Sequence, residues 1–432
     1  MSDTTRVHGD LEKDQEAPQL SDLEPSQEKD AGVVGPATVQ DWNGPDDPDN
    51  PMNWSLKSRI YHTSVPALMG FVITLGSSIY TPGIKDIRAQ FHVSSTVALL
   101  GISLYVLGLG FGPILAAPLS ETLGRRAVYL ISLPISALLT LGAGFSTNFA
   151  SFVILRFLAA FFGSPTLAVG AGTSADIWRP IHRATATVLF LLAPFAGPAL
   201  GPTIGGYAAQ YGGWKWTQWP ILFFSVATYI YCLFTKETYK KIILQSRAKK
   251  LGLAPPPRTG PTGPAAVKFL LTVTLVRPLH MIFTEPIVGF FSLYIGFNFS
   301  VLFGFFDAFP IVFEGLYRFD RGQSGLTWLA VLIGCVLAVM TVIIIDRLTF
   351  RKEYEKSIRD GRGGVVAPEH RLYGAMIGSL GLPIGLFWFG WTARTDVHWI
   401  SPVIAAIPFA WGNLCVFVSP ASHFLSFYQT PH

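Results

Sequence analysis

Apolar residues in this chain cluster into runs of about 20, the length a helix needs to cross a bilayer. Ten such runs occur, at about 62–82, 96–117, 127–146, 149–172, 184–207, 217–235, 286–308, 324–346, 371–392 and 398–420. The pattern predicts an all-α polytopic membrane protein with about ten spans. Short polar stretches separate most of the runs. One long polar stretch follows the sixth.

The fifth run contains an unusual passage, AGPALGPTIGGY, from Ala196 to Tyr207. In a helix interior each Gly costs about 1 kcal/mol and each Pro about 3 kcal/mol relative to Ala. The spacing supplies a reason to keep them. Gly197, Gly201 and Gly205 lie four residues apart and share one helix face, and Pro198, Pro202 and Gly206 form the adjacent stripe. Small residues let helices approach closely, which is a main source of helix association in lipid. Proline is tolerated there when neighbours re-satisfy the freed carbonyls. Two readings stay open: a static packing face, or a helix that bends and seals against a partner.

The polar segments divide the chain. Residues 1–60 hold 13 of the 27 acidic residues and no apolar leader-like core, and are expected to form a disordered cytosolic tail. Trp42 and Trp54 near its end are expected at the headgroup level. Residues 61–235 carry six spans. Residues 236–285 read as a basic, then Pro/Gly-rich, cytoplasmic linker. Residues 286–432 carry about four more spans.

Composition agrees. The chain is 50% hydrophobic and 14% charged, with a mean hydropathy of +0.41, against roughly 25% charged for a soluble domain. The pI near 9 does not indicate nucleic acid, because the basic residues sit in loops between spans. One set of loops (121–126, 178–183, 236–280, 347–371) holds 20 Lys and Arg, and the opposite set holds 6. By the positive-inside rule the first set is cytoplasmic, and so are both termini. Cys232, Cys335 and Cys415 lie in apolar runs and have no metal-ligand spacing.

Candidate chemistry is sparse. Arg156 is the one basic residue inside an expected span, and a charge there is costly unless it is paired or faces water. Asp307 ends the apolar part of the seventh span, where Pro310 is expected to break the helix. Glu285 precedes that span, in a dipole-favourable position. Asp176 reads as a helix-end charge. Among the many aromatics, Tyr105, Tyr294 and Phe297 are candidates to line a cavity for flat apolar molecules. There is no P-loop, zinc motif or catalytic triad, so the reading is a non-enzyme without cofactor, drawing its energy from an ion gradient. Its partners are a small-molecule substrate and the lipid bilayer, not nucleic acid. Oligomeric state is not legible.

Several motifs add to this. PLSETLGRR after the second span places Glu121, Gly124, Arg125 and Arg126 in a tight acid–glycine–basic loop. RFLAAFFGSP carries Arg156, and GPALGPTIGG carries the fifth-span stripe. DRLTFRK, with Asp346, Arg347, Arg351 and Lys352, echoes the first loop in the second half. Together with DWNGPDDPDNPMNW, SSIYTPG and FTEPIVGFFSLYIGF, these resemble, from about residue 41 to 418, the major facilitator superfamily, and within it the fungal drug:proton antiporters. The departures are Glu for the usual Asp at 121, Thr122 for a common basic residue and Ala117 for an earlier Gly.

The resemblance implies a two-half helix bundle with parallel repeats and proton-coupled efflux of drugs or small amphipathic metabolites at the plasma membrane. It also implies a cytoplasmic gate at Glu121, Gly124, Arg125 and Arg126, repeated at Asp346 and Arg347. The family has twelve spans, two more than are counted here. An importer of the same fold and a truncated, non-transporting remnant remain the alternatives.

Overall fold

The computed structural model describes residues 41–253, 272, 276–361 and 366–427, and among these the regular structure is helical, without strands. Helices begin where the sequence offers a cap or a proline. Ser55 caps α1 (Leu56–Ser78) by accepting from the Ser58 N–H. After α2 (Ile84–Phe91), Ser94 caps α3 (Ser95–Leu123). α4 (Arg125–Gly144) follows, then α5 (Phe149–Gly163), capped by Asn148. Prolines open α6 (Pro165–Ile177) and α7 (Pro180–Gly212), where a missing N–H costs nothing. α8 is Trp219–Cys232 and α9 is Lys240–Leu251.

The chain continues through α10 (Arg277–Thr284), α11 (Pro286–Pro310), α12 (Arg321–Leu326), α13 (Leu329–Leu348), α14 (Phe350–Arg359), α15 (Tyr373–Gly378), α16 (Gly381–Thr392) and α17 (Ile400–Phe427). Among the described residues, nine helical stretches are long and apolar enough to cross a membrane. The sixth expected span is the exception. Its helix, α8, has 14 residues, a rise of about 21 Å, and a 3-10 turn over Trp214–Thr217 leads into it.

Two expectations change. Pro310 does not break the seventh span: α11 runs up to it and continues as a π turn over Ile311–Leu316. The wide turn re-pairs the backbone, with the Tyr317 N–H donating to Val312 O and the Phe319 N–H to Phe313 O. The tail is not extended as far as residue 60 either. Asp47 is buried and accepts the N–H groups of Asn43 and Asp49, while the Asn53 amide donates to the carbonyls of Pro45 and Asp47. Arg247 of α9 grips Asp47 through two bonds of 2.7 and 2.8 Å and also reaches Asp49. Trp42 lies under Lys240 and Arg247. The turn at 41–55 and helix α9 therefore form a clasp inside what reads as tail and linker. Residues 1–40 and 254–271 lie outside the described residues.

Two of the four buried apolar clusters among the described residues show how the spans are grouped. The first joins Val65, Met69 and Ile73 of α1 to Val128, Tyr129 and Leu133 of α4. The second joins Phe305, Phe306 and Phe309 of α11 to Trp328, Val331, Phe389 and Phe409. Val188 and Ala199 of α7 belong to the second cluster, although α7 comes before the linker and packs closely on α1. Helix α7 is the element common to both sets of spans.

Candidate transport pathway and gates

The two stripes of α7 meet different partners. A Cβ on Gly197 would lie 2.8 Å from Leu75 N, and one on Gly201 2.8 Å from Ile79 N; a Cβ on Gly205 would press on the Ile79 carbonyl. This stripe fits the backbone of α1. Gly206, on the adjacent stripe, faces the Arg321 carbonyl, and Gly325 of α12 sits on the Pro202 carbonyl. Thr203 donates to Gly325 O at 2.7 Å, and the Gly322 N–H donates to Gln210 at 2.8 Å. Pro202 is buried and Pro198 half-buried. One stripe thus joins α7 to the first set of spans, and the other joins it to the second.

Ion pairs close the same end. Arg321 meets Asp86 through two bonds of 2.8 Å, and Lys85 meets Glu314 at 2.6 Å. Both pairs link the two sets of spans. Lys85, Asp86, Glu314 and Arg321 lie outside the expected spans, in connecting segments where the sequence pattern alone gives them no role.

Arg156 is buried, with 1% of its surface exposed. It donates to Gly101 O at 3.0 Å, Gly76 O at 2.8 Å and Gln218 Oε1 at 3.3 Å. Tyr80 and Tyr105 hold its guanidinium between their rings at 4.7 and 4.6 Å. Tyr105 donates to Ile73 O and Tyr80 to Ala98 O. Gly76 and Gly101 are needed here, because a Cβ on either would strike Tyr105 or Tyr80. Backbone carbonyls and aromatic faces stabilise the cation, and no carboxylate among the described residues pairs with it.

Asp307 is elsewhere. It lies on a continuously exposed face of α11 with Leu293, Phe297, Ser300, Gly304 and Ile311. Phe297 is 69% exposed. Tyr294 is half-buried and stacked on Phe290 at 6.3 Å. Glu285 is the N-cap residue of α11 and is half-buried. The contacts of Arg156 include none of these four residues.

At the basic end, Glu121 is exposed and Arg126 is exposed beside it. The carboxylate that organises this loop is Glu237, which accepts the N–H groups of Arg125 and Arg126 at 2.9 and 3.1 Å and so caps α4. Gly124 has φ +93°, and a Cβ there would also meet the Glu237 carboxylate. Arg125 pairs with Asp176 at 3.2 Å, donates to Ser120, and stacks on Tyr239 at 4.8 Å. In the second loop Asp346 is buried and meets Arg351 at 3.4 Å, and Arg351 also donates to Thr185 of α7 at 3.2 Å. Arg347 is exposed.

A multi-span helical bundle whose two sets of spans share one glycine-striped helix defines a polytopic membrane protein. The chain belongs to the Major Facilitator Superfamily, whose sequence pattern matches residues 67–430. It is 39% identical over 411 residues to "Polyamine transporter 4" of Saccharomyces cerevisiae, an alignment covering 90% of this chain and 62% of that protein. It is 37% identical to the "Major facilitator superfamily multidrug transporter mdrA" of Aspergillus fumigatus, over 88% of this chain and 63% of that protein. The chain therefore spans somewhat less than two thirds of the length of these two relatives. Among solved structures, the xylose transporter XylE from E. coli aligns with a TM-score of 0.56 at 16% identity, covering 86% of this chain and 85% of that chain, which is a likeness of fold.

Proposed function

We propose that this protein exports small amphipathic organic molecules, organic cations among them, in exchange for protons by alternating access. The observation that carries the reading is the double seating of α7: its Gly197/Gly201/Gly205 stripe fits α1 while its Pro202/Gly206 stripe fits α12. The second interface can part while the first stays whole, as a gate requires. The names of the polyamine and multidrug relatives support an organic substrate. The expected orientation puts the basic end in the cytosol with both termini, and the Asp86–Arg321 end outside, at the plasma membrane.

In this scheme Asp307 is the acid that binds the proton or the substrate cation, on a face where Phe297 gives apolar contact. Glu285 is the second candidate. Arg156 fixes the junction of α1, α3 and α5 against which the moving parts close. Proteoliposomes with an imposed pH gradient and a fluorescent organic cation test the proposal. Transport should follow the gradient and lose that dependence in Asp307→Asn, since an amide does not titrate in this range. Gradient-independent movement in the unmodified protein would remove proton coupling from the reading, and movement with the proton flux would make the protein an importer.

A further inference from the structure

A recess at the basic end, between the starts of α1 and α7, has no part in this scheme. Its volume is about 620 Å³, and Arg59, Arg179, His182, Trp54 and Trp178 line it, with Asp46 on its rim. We propose that it binds a phosphate monoester, supplied by the headgroup of an anionic lipid in the leaflet at that end. Only the name of that leaflet rests on the orientation given above.

Charge is the first argument. Two guanidinium groups, Arg59 and Arg179, share the recess with a single carboxylate, Asp46, which is exposed, and His182 stands beside them as a further hydrogen-bonding group. Neither Arg59 nor Arg179 has a carboxylate partner among the described residues. An anion answers an excess of this kind, and arginine forks match phosphate oxygens in geometry.

The state of Arg59 is the second argument. Its guanidinium stacks over Trp178 at 5.0 Å, and Trp178 is itself held by donation to Thr63 Oγ1 at 2.9 Å. The cation is thereby pre-oriented, yet its buried Nε has no hydrogen-bond partner among the described residues. That nitrogen is enclosed, whereas the terminal nitrogens of the same guanidinium make no hydrogen bond among the described residues and are left to meet an acceptor in the recess that Arg59 lines.

Helix α7 adds a third contribution. Pro180 occupies its first turn and Arg179 its N-cap position, with no side-chain cap bond. The His182 and Arg183 N–H groups already donate to Arg179 O, so the contribution is the positive end of the helix dipole, which favours an anion there. Trp54 and Trp178 are residue types enriched at headgroup depth, and basic pockets between spans at that depth suit lipid phosphates. Leu56 gives an apolar wall beside them. One turn along α7 from His182, Thr185 receives Arg351, so a ligand here would lie beside the seam between the two sets of spans.

The test uses the full chain purified in nanodiscs of phosphatidylcholine. Phosphatidylinositol 4-phosphate is added in one arm and inorganic phosphate in the other, with bound species read by native mass spectrometry. The expected result is retention of the phosphoinositide over phosphatidylcholine, weakened at least about tenfold in Arg59→Gln/Arg179→Gln. Because Arg59→Gln also removes the stack on Trp178, Arg179→Gln/His182→Gln is measured in parallel and should weaken retention in the same direction. Release of the lipid by millimolar inorganic phosphate would assign the same site to free phosphate. Retention unchanged in both double variants, or equal retention of phosphatidylcholine, would overturn the proposal. The readout is binding, so it stands or falls independently of transport.

Discussion

Asp86 and Arg321, 235 positions apart, meet through both carboxylate oxygens at 2.8 Å and link the two sets of spans at one end of the molecule. Their side chains are 29% and 26% exposed, so the pair is worth about 1 kcal/mol rather than the several that a dry pair can reach. Removing it should shift the population toward the form open at this end by roughly fivefold. Arg321→Gln should therefore speed labelling of a cysteine placed at Gln210. Arg321→Lys should do so partly, because it keeps the charge and loses the fork. The swap of Asp86→Arg with Arg321→Asp should restore protection. Equal labelling in all four proteins would mean that the pair does not hold the end closed.

The two stripes of α7 should fail in different ways. A Cβ at Gly201 strikes backbone at Ile79, which cannot swing aside as a side-chain tip can. Gly201→Leu should lower thermal stability in detergent by an overpacking cost of about 1–3 kcal/mol or more. Gly206→Leu presses instead on Arg321 across the seam. It should leave the first set of spans folded but block closure, losing transport with a smaller change in unfolding temperature. Matching losses of stability would show that the seam is as fixed as the α1 interface.

At the basic loop, the carboxylates at 121 and 237 should separate in the same assay. Glu237→Ala removes the cap of α4, at a cost of about 1–2 kcal/mol. Gly124→Ala should be at least as harmful, because it meets both a left-handed φ and the Glu237 carboxylate. Glu121→Gln, at an exposed position without an ion pair among the described residues, should change stability by less than about 0.5 kcal/mol. Unfolding temperatures of the three variants check the order.

The residues that were legible and those that were not differ in range. A run of 20 apolar residues declares a span by its own composition, so the bundle could be read directly. Gly197, Gly201 and Gly205 declare a shared face by spacing alone. Glu237 gives no such sign, because its role depends on a loop more than 100 positions earlier folding back onto it. The same holds for Asp86 and Arg321. Pro310 misled for a local reason: its cost falls on one turn of helix, and a π turn absorbed it. Asp47 was hidden by composition, since a cluster of acids and prolines reads as solvated chain until Arg247 arrives from beyond the sixth span.

That clasp gives a pH prediction. Arg247, through its hydrogen bonds, holds the Asp47 carboxyl well below the usual carboxylate range, against the opposing effect of burial; the Asn43 and Asp49 N–H groups assist. The same bonds push Arg247 above its ordinary value, so it stays charged throughout. A depressed acid stabilises the fold fully above its unfolded value, about 3.9, and loses that contribution as the pH falls through the lower folded value. The clasp should therefore stay shut from pH 8 down to about pH 4 and open only below that. Arg247→Gln takes away the main cause of the depression and leaves burial, which raises the Asp47 value. In that variant the opening should move up by at least about one pH unit. Trp42, beneath Arg247 at 6.0 Å, is the reporter. Its fluorescence is followed against pH, with the other ten tryptophans controlled by a Trp42→Phe protein. A midpoint that is the same with and without Arg247 would show that the arginine does not set the titration of Asp47.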